Sequence, residues 1–288
     1  MCAPSVLAAV WAGLTRRDAM HYLAGMYVAG RLVANAEASQ PPPVRSPGPP
    51  PTDAPRRSLP ADHIVDLTHT LSPRFPIWPG NEPIVLKVKS QLQRDGFYAN
   101  RWDISEHHGT HLDAPAHAAA DGATVEKIDP RHLVVPLAVV DIRERVARDP
   151  DTAVTIDDLQ RWEKRHGPLP AGCALAVCSG WDAKAIDAKA FLGSDASGTL
   201  HFPGFSPRAV EFLLHERQVV GLIVDTLSID IGPSRDFPVH KLWLGAGKWA
   251  VECAARLDQV PPVGATVFVG APKVATASGG PIRLLALW

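Results

Sequence analysis

The segment SPRAVEFLLHERQVVGLIVD, residues 206–225, contains two kinds of regular structure in one run. Ser206 can cap a helix and Pro207 is preset for its first turn, so a helix is expected over residues 206–217. Directly behind it, VVGLIVD (219–225) is short and β-branched, the composition of a strand buried on both faces. A helix feeding such a strand is a unit of an α/β domain with a mixed sheet. The same reading extends outward. HLVVPLAVVDI (132–142), ALAVCSG (174–180) and ATVFVGA (265–271) are further short apolar runs bounded by Gly or Pro. TIDDLQRWEKRHG (155–167) is a second helix with Thr155 at its cap, and the aromatic, partly alternating GFYANRWDIS (96–105) favours another strand.

The 288 residues, 46% hydrophobic and 20% charged, suffice for a sizeable core. A formal net charge of −1 with scattered Lys and Arg gives no field that would gather nucleic acid, which excludes that class of partner. The first sixty residues differ in character. Paired Arg16 and Arg17, a mildly apolar stretch, and small residues at Ala34, Ala36 and Ala38 resemble a twin-arginine export signal over residues 1–38. The alternative is an amphipathic helix without targeting meaning in a cytoplasmic protein. The run is broken by His21 and Arg31 and is too short to span a bilayer, which needs roughly 20 apolar residues. Residues 39–61, including QPPPVRSPGPPPTDAPRRSLP, read as a proline-rich disordered linker, with one folded domain from 62 to 288. Cys2, Cys173, Cys178 and Cys253 form no C-x-x-C pair and read as small apolar residues, not a disulfide framework.

HHGTHLDAPAH (107–117) holds four of the chain's twelve histidines. In an extended strand the Cα atoms of His107 and His111 would stand roughly 13 Å apart, from a rise of ~3.3 Å per residue, so two imidazoles could barely share one ion. A bend at Gly109 would bring them together, and Asp113 would add an anionic oxygen. Two imidazoles and a carboxylate suit Zn²⁺ or Mn²⁺, and a shell without thiolate argues for an open, catalytic site. His117 lies beyond the turn that Pro115 encourages and can face the same cavity without ligating. An imidazole titrating near 6.5 there could take a proton from water and return it to a leaving group. His108 is expected to face solvent.

The pattern H-x-G-T-H-x-D-x-P-x-H resembles the cyclase-like metal hydrolases, a family that includes bacterial kynurenine formamidase and isatin hydrolase. DLTHTLSPRFPIWPGNEP (66–83), DTLSIDIGPSRDFPVHKLWLGAGKWAVECAARLDQVP (225–261) and APKVATASGGPIRLLAL (271–287) are similar to other parts of that family. The resemblance implies a single α/β domain of the swivelling β/β/α type, its mixed, partly barrel-like sheet flanked by helices. It further implies that His107, His111 and Asp113 hold a first ion, that His240 and Glu252 complete a second site bridged by Asp113, and that His117 is the catalytic acid/base. The implied substrate is a small aromatic amide or lactam, of the arylformamidase or isatin hydrolase type, and the implied assembly a homodimer. Phe75 and Trp78 are candidates for stacking on the substrate ring, with core packing an equal explanation. Asp225, Asp230 and Ser234 are candidates to line the cavity, with a structural role the leading reading. Read alone, His240 and Glu252 would be capping or surface groups: on one regular helix they would sit about 120° apart, so convergence needs the break that Gly245 and Gly247 allow. A different class stays open, an exported metal- or ligand-binding protein of this fold without turnover.

Overall fold

The computed structural model describes residues 62–288. The expected export signal and linker lie outside the described residues. Thirteen strands follow in chain order: β1 Ile64–Asp66, β2 Val85–Ser90, β3 Ala99–Asp103, β4 His111–Asp113, β5 Val134–Asp141, β6 Ala153–Val154, β7 Ala174–Cys178, β8 Gly204–Phe205, β9 Gly221–Val224, β10 Trp249–Glu252, β11 Ala265–Gly270, β12 Gly279–Pro281 and β13 Arg283–Leu287. The longer helices are α1 Ile156–His166, α2 Pro207–Glu216 and α3 Pro238–Gly245. Thr155 caps α1 in a reciprocal box with Asp158, and Ser206 caps α2 ahead of Pro207, as the sequence requires.

Nine strands form one sheet in the order β1-β13-β11-β5-β7-β9-β10-β4-β12. The central four, β5, β7, β9 and β10, run parallel and are joined through α1, α2 and α3, while every other pairing within this sheet is antiparallel. Only Ile282 separates β12 from β13, yet the two pair near opposite ends of the strand order. One C-terminal ribbon thus bends at Ile282, whose N–H donates to the Thr110 carbonyl at 2.9 Å, and draws the sheet into a partly closed barrel.

The two-residue pleat divides the apolar side chains. Leu137, Val139, Ala174, Ala176, Ile223 and Val251 fill the inner core, and Ala138, Val140, Leu175, Val177, Leu222 and Val224 meet Leu159, Trp162, Leu213 and Trp243 under the helices. The expectation of burial on both faces holds for β7 and β9 and fails for β11, where Thr266 and Phe268 are exposed, and for the start of β5. These residues pair with one another at the antiparallel side of the sheet, and only one face of that ladder belongs to the inner core. The β2–β3 hairpin stands apart as a separate two-stranded sheet, with Leu86, Val88 and Trp102 exposed by 41, 55 and 64%.

At Gly221 a Cβ would lie 2.2 Å from the Trp249 ring. That ring is held by its indole N–H, which donates to the His132 carbonyl at 3.0 Å. Gly221→Ala is therefore expected to destabilise the fold by about 1–3 kcal/mol through overpacking. Thermal unfolding reads this as a lowered Tm, and an unchanged Tm refutes it.

Candidate metal centre

Alternation on β4 sends Leu112 into the inner core and turns His111 and Asp113 to the opposite face. The register sets Glu252, the last residue of β10, directly across from His111. Gly109 supplies the bend, with φ at +69°, where a side chain is strained, and a Cβ there would fall 2.7 Å from Leu71 Cδ1 and displace that side chain. The bend brings the His107 and His111 ring centroids to 5.2 Å. From the other side α3 ends, Gly247 turns the chain at φ +75°, and β10 returns alongside. His240 Nε2 thereby reaches 3.1 Å from Glu252 Oε1 and 3.6 Å from Asp113 Oδ2. The helix break joins the two residues that a regular helix would have kept apart.

Asp113 is the hub. Its Oδ1 lies 2.7 Å from His107 Nδ1 and 3.3 Å from His111 Nε2, whose ring is also 3.4 Å from Glu252 Oε2. Burial works to lower the His111 imidazole, but Asp113 and Glu252 override it and push it up to about 10. Burial would raise the Asp113 carboxyl, yet His111, His107 and His240 hold it well below the usual range. His240 moves well above its ordinary value against its own burial, through Asp113, Asp230 and Glu252. In each case buried anions demand positive charge nearby.

The residues fit a divalent cation. His111 Nδ1 donates to the Gly109 carbonyl at 2.9 Å, which leaves Nε2 facing the centre, where it and Asp113 Oδ2 are buried without a hydrogen-bond partner. Ligand-capable atoms of His107, Asp113 and His117, and separately of His111, Asp113 and Glu252, lie within 4.8 Å of one another. Asp113 belongs to both groups. His117 thus stands within ligand range as well as facing the cavity.

A cavity of about 480 Å³ opens from this centre, with Ile77, Trp78 and Phe237 on its apolar wall. Trp78 lines it, whereas Phe75 is 8% exposed and packs with Phe191 at 6.0 Å between ring centroids, a core role. Phe237 escapes sequence reasoning. It holds φ at +48°, a conformation that bulky residues avoid, and sets its ring 5.8 Å from both Trp78 and His240. Asp230 also does more than its sequence context suggests. Its Oδ2 accepts from His240 Nδ1 at 2.7 Å, and its carboxylate caps the Val239 and His240 N–H groups. Asp225 instead accepts the Ser179, Gly180 and Trp181 N–H groups, a structural role. His108, expected in solvent, is 1% exposed, since the Gly109 bend turns it inward and its Nδ1 accepts from the Ser105 N–H at 3.2 Å.

The Cyclase family model matches residues 65–231. An isatin hydrolase of Roseibium aggregatum is 35% identical over 242 residues, which cover 78% of this chain and 91% of that protein. Among solved structures, isatin hydrolase A from Ralstonia solanacearum has a TM-score of 0.74 at 38% identity, covering 78% of this chain and 91% of its own. An isatin hydrolase bound to the product analogue thioisatinate has a TM-score of 0.75 at 32% identity, covering 78% and 92%. With the motif, the mixed half-barrel sheet and the His/Asp/Glu centre, these likenesses show that the chain belongs to the cyclase-like family of metal-dependent hydrolases.

Proposed function

We propose that the protein hydrolyses an amide or lactam bond on a small aromatic substrate, in the manner of an isatin hydrolase. The observation that carries this reading is the junction of two surfaces: a buried His/Asp/Glu centre opens into a cavity lined on its apolar side by Ile77, Trp78 and Phe237. Aromatic side chains supply apolar area and orientation for a flat ring. By family resemblance His107, His111 and Asp113 would hold a first divalent ion, with His240 and Glu252 completing a second site, and their contacts with Asp113 and with each other support that assignment; Zn²⁺ or Mn²⁺ suits this donor set. Such an ion supplies Lewis acidity toward a carbonyl and lowers the pKa of water. A second reading, an arylformamidase acting on N-formylkynurenine, is favoured by Glu252 beside His240, the pair that family resemblance ties to two-ion formamidases.

His117 is the acid/base in this reading. It is the exposed member of the cluster, its ring centroid 3.9 Å from that of His107 and 5.9 Å from that of His240. Among the described residues no hydrogen bond holds its ring nitrogens, which leaves them free to accept a proton and return it to the departing nitrogen. Partial desolvation holds its imidazole below the ordinary 6.5, with Asp113 opposing and His107 adding to the shift. The neutral, proton-accepting form therefore prevails at pH 7.

A homodimer belongs to the same proposal. Leu86 pairs directly with Trp102 across the hairpin, so both occupy one face with Val88, while Lys87 and Arg101 occupy the other. A two-stranded ribbon with an uncovered apolar face is marginal alone, and a second copy of the chain would cover it. No helix among the described residues is long and apolar enough to cross a membrane. Residues 1–38 would direct export, a reading that an intact Met1 on the mature protein refutes.

Isatin, N-formylkynurenine and simple aryl formamides, assayed with and without Zn²⁺ or Mn²⁺, test the activity; absence of metal-dependent product from all of them leaves a binding protein without turnover. His117→Ala should retain metal and lose about 10²–10⁴-fold in kcat. The acidic limb of the wild-type rate profile should fall below pH 6.5, with activity rising as pH rises through it. Loss of metal from His117→Ala would instead make His117 a ligand. Trp102→Asp should shift the protein from dimer to monomer in analytical ultracentrifugation, and a dimer that persists excludes the hairpin face as the interface.

A further inference from the structure

Each imidazole that faces Asp113 from a ligand position has an anchor on its other nitrogen. For His111 the anchor is the Gly109 carbonyl, and for His240 it is the Asp230 carboxylate. For His107 it is a hydroxyl from a segment 171 positions away in the chain: His107 Nε2 lies 3.0 Å from Ser278 Oγ. That hydroxyl donates at 2.6 Å to Glu106 Oε2, which also accepts the Ser278 N–H at 2.9 Å. A serine hydroxyl has one hydrogen, and an ionised carboxylate only accepts. With that hydrogen committed to Glu106, Ser278 Oγ accepts from His107 Nε2–H, and Nδ1 faces Asp113 Oδ1 at 2.7 Å, where a cation in place of a proton would leave Nδ1 free to ligate. The backbone completes the seat. A Cβ on Gly279 would lie 2.5 Å from His107 Cε1, so the ring rests against bare main chain at the start of β12. The Ser278 carbonyl accepts the Ala114 N–H at 2.9 Å, which ties this seat to the same motif.

We infer that Glu106, acting through Ser278, is a positioning residue that sets which nitrogen of His107 faces the metal centre. The inference rests on the metal-centre reading proposed above. Glu106 touches neither the centre nor the cavity, and its effect passes through one hydroxyl. Partners of this kind behind a ligating histidine typically contribute 10–100-fold to metal affinity.

The test is Zn²⁺ affinity of the full-length apoprotein, measured by competition with a fluorescent chelator, alongside the ¹⁵N signature of the His107 tautomer by NMR. Ser278→Ala and Glu106→Leu, which removes the oxygen that accepts from Ser278, should each weaken binding about 10–100-fold. The double variant should be no weaker than the more affected single one, because both changes break the same chain. In the Zn²⁺-loaded wild type the NMR signature should show Nδ1 bound and a hydrogen-bonded proton on Nε2, and Ser278→Ala should lose the hydrogen-bonded shift of that proton. Unchanged affinity and tautomer in both single variants, or losses that simply add, overturn the positioning role. Wild-type protein that binds no Zn²⁺ overturns this inference and the metal-centre reading together. Should Ser278→Ala unfold, as its Tm would reveal, Glu106→Leu alone decides between these outcomes.

Discussion

Two carboxylates, Asp113 and Glu252, are 0 and 5% exposed and approach the same imidazoles. Removing two like charges from water costs several kcal/mol each unless positive charge meets them. His111 and His240 meet it as protonated rings or as ligands of a dication, and the upward shift of both imidazoles measures the demand. Much of the local backbone follows from this pairing. The Gly109 bend, the bare backbone at Gly279 and the chain reversal after α3 each bring one more donor to the carboxylates.

The sheet makes that convergence possible. Ligands in α/β folds gather where parallel strands end and the connections part. Here β9 leaves its carboxyl end into the loop that carries Asp230, and β10 ends on Glu252. The antiparallel β4 then lays His111 against Glu252 by register alone. The loop after β9 is fastened to the same carboxylate, since the Ile229 N–H donates to Glu252 Oε1 at 2.9 Å. Fold and centre therefore share bonds, and a change in either is felt by both.

Local signals were legible in the sequence: the caps at Thr155 and Ser206, the apolar runs of β5, β7 and β9, and the ligand spacing around Gly109. Each depends on neighbours within a few residues, where cap chemistry and strand composition dominate. The pairing of His240 with Glu252 was reachable only through family resemblance, because it depends on how Gly247 turns the chain. Asp230, Phe237 and Ser278 lie further beyond reach. Their roles depend on contacts between separate elements, and nothing in the spacing of D, F or S near those positions distinguishes a site residue from a loop residue. His108 shows the converse limit: a variable position in a motif can still be buried when the bend beside it turns inward.

In the proposed mechanism the centre separates groups that must stay fixed from one that must change. His111 and His240 are each fastened at the nitrogen away from Asp113, so their lone pairs keep one direction, as coordination requires. His117 has no such fastening among the described residues, and it sits at the exposed side of the cluster with its ring against that of His107. A proton carrier needs that freedom, since a nitrogen committed to a permanent donor or acceptor cannot both take and release a proton. One short motif can serve both purposes because β4 ends at Asp113 and the turn through Pro115 begins immediately after it. His111 and Asp113, before that boundary, are locked into the sheet between β10 and β12, and the histidine after it is free of the ladder while remaining within reach of the same carboxylate.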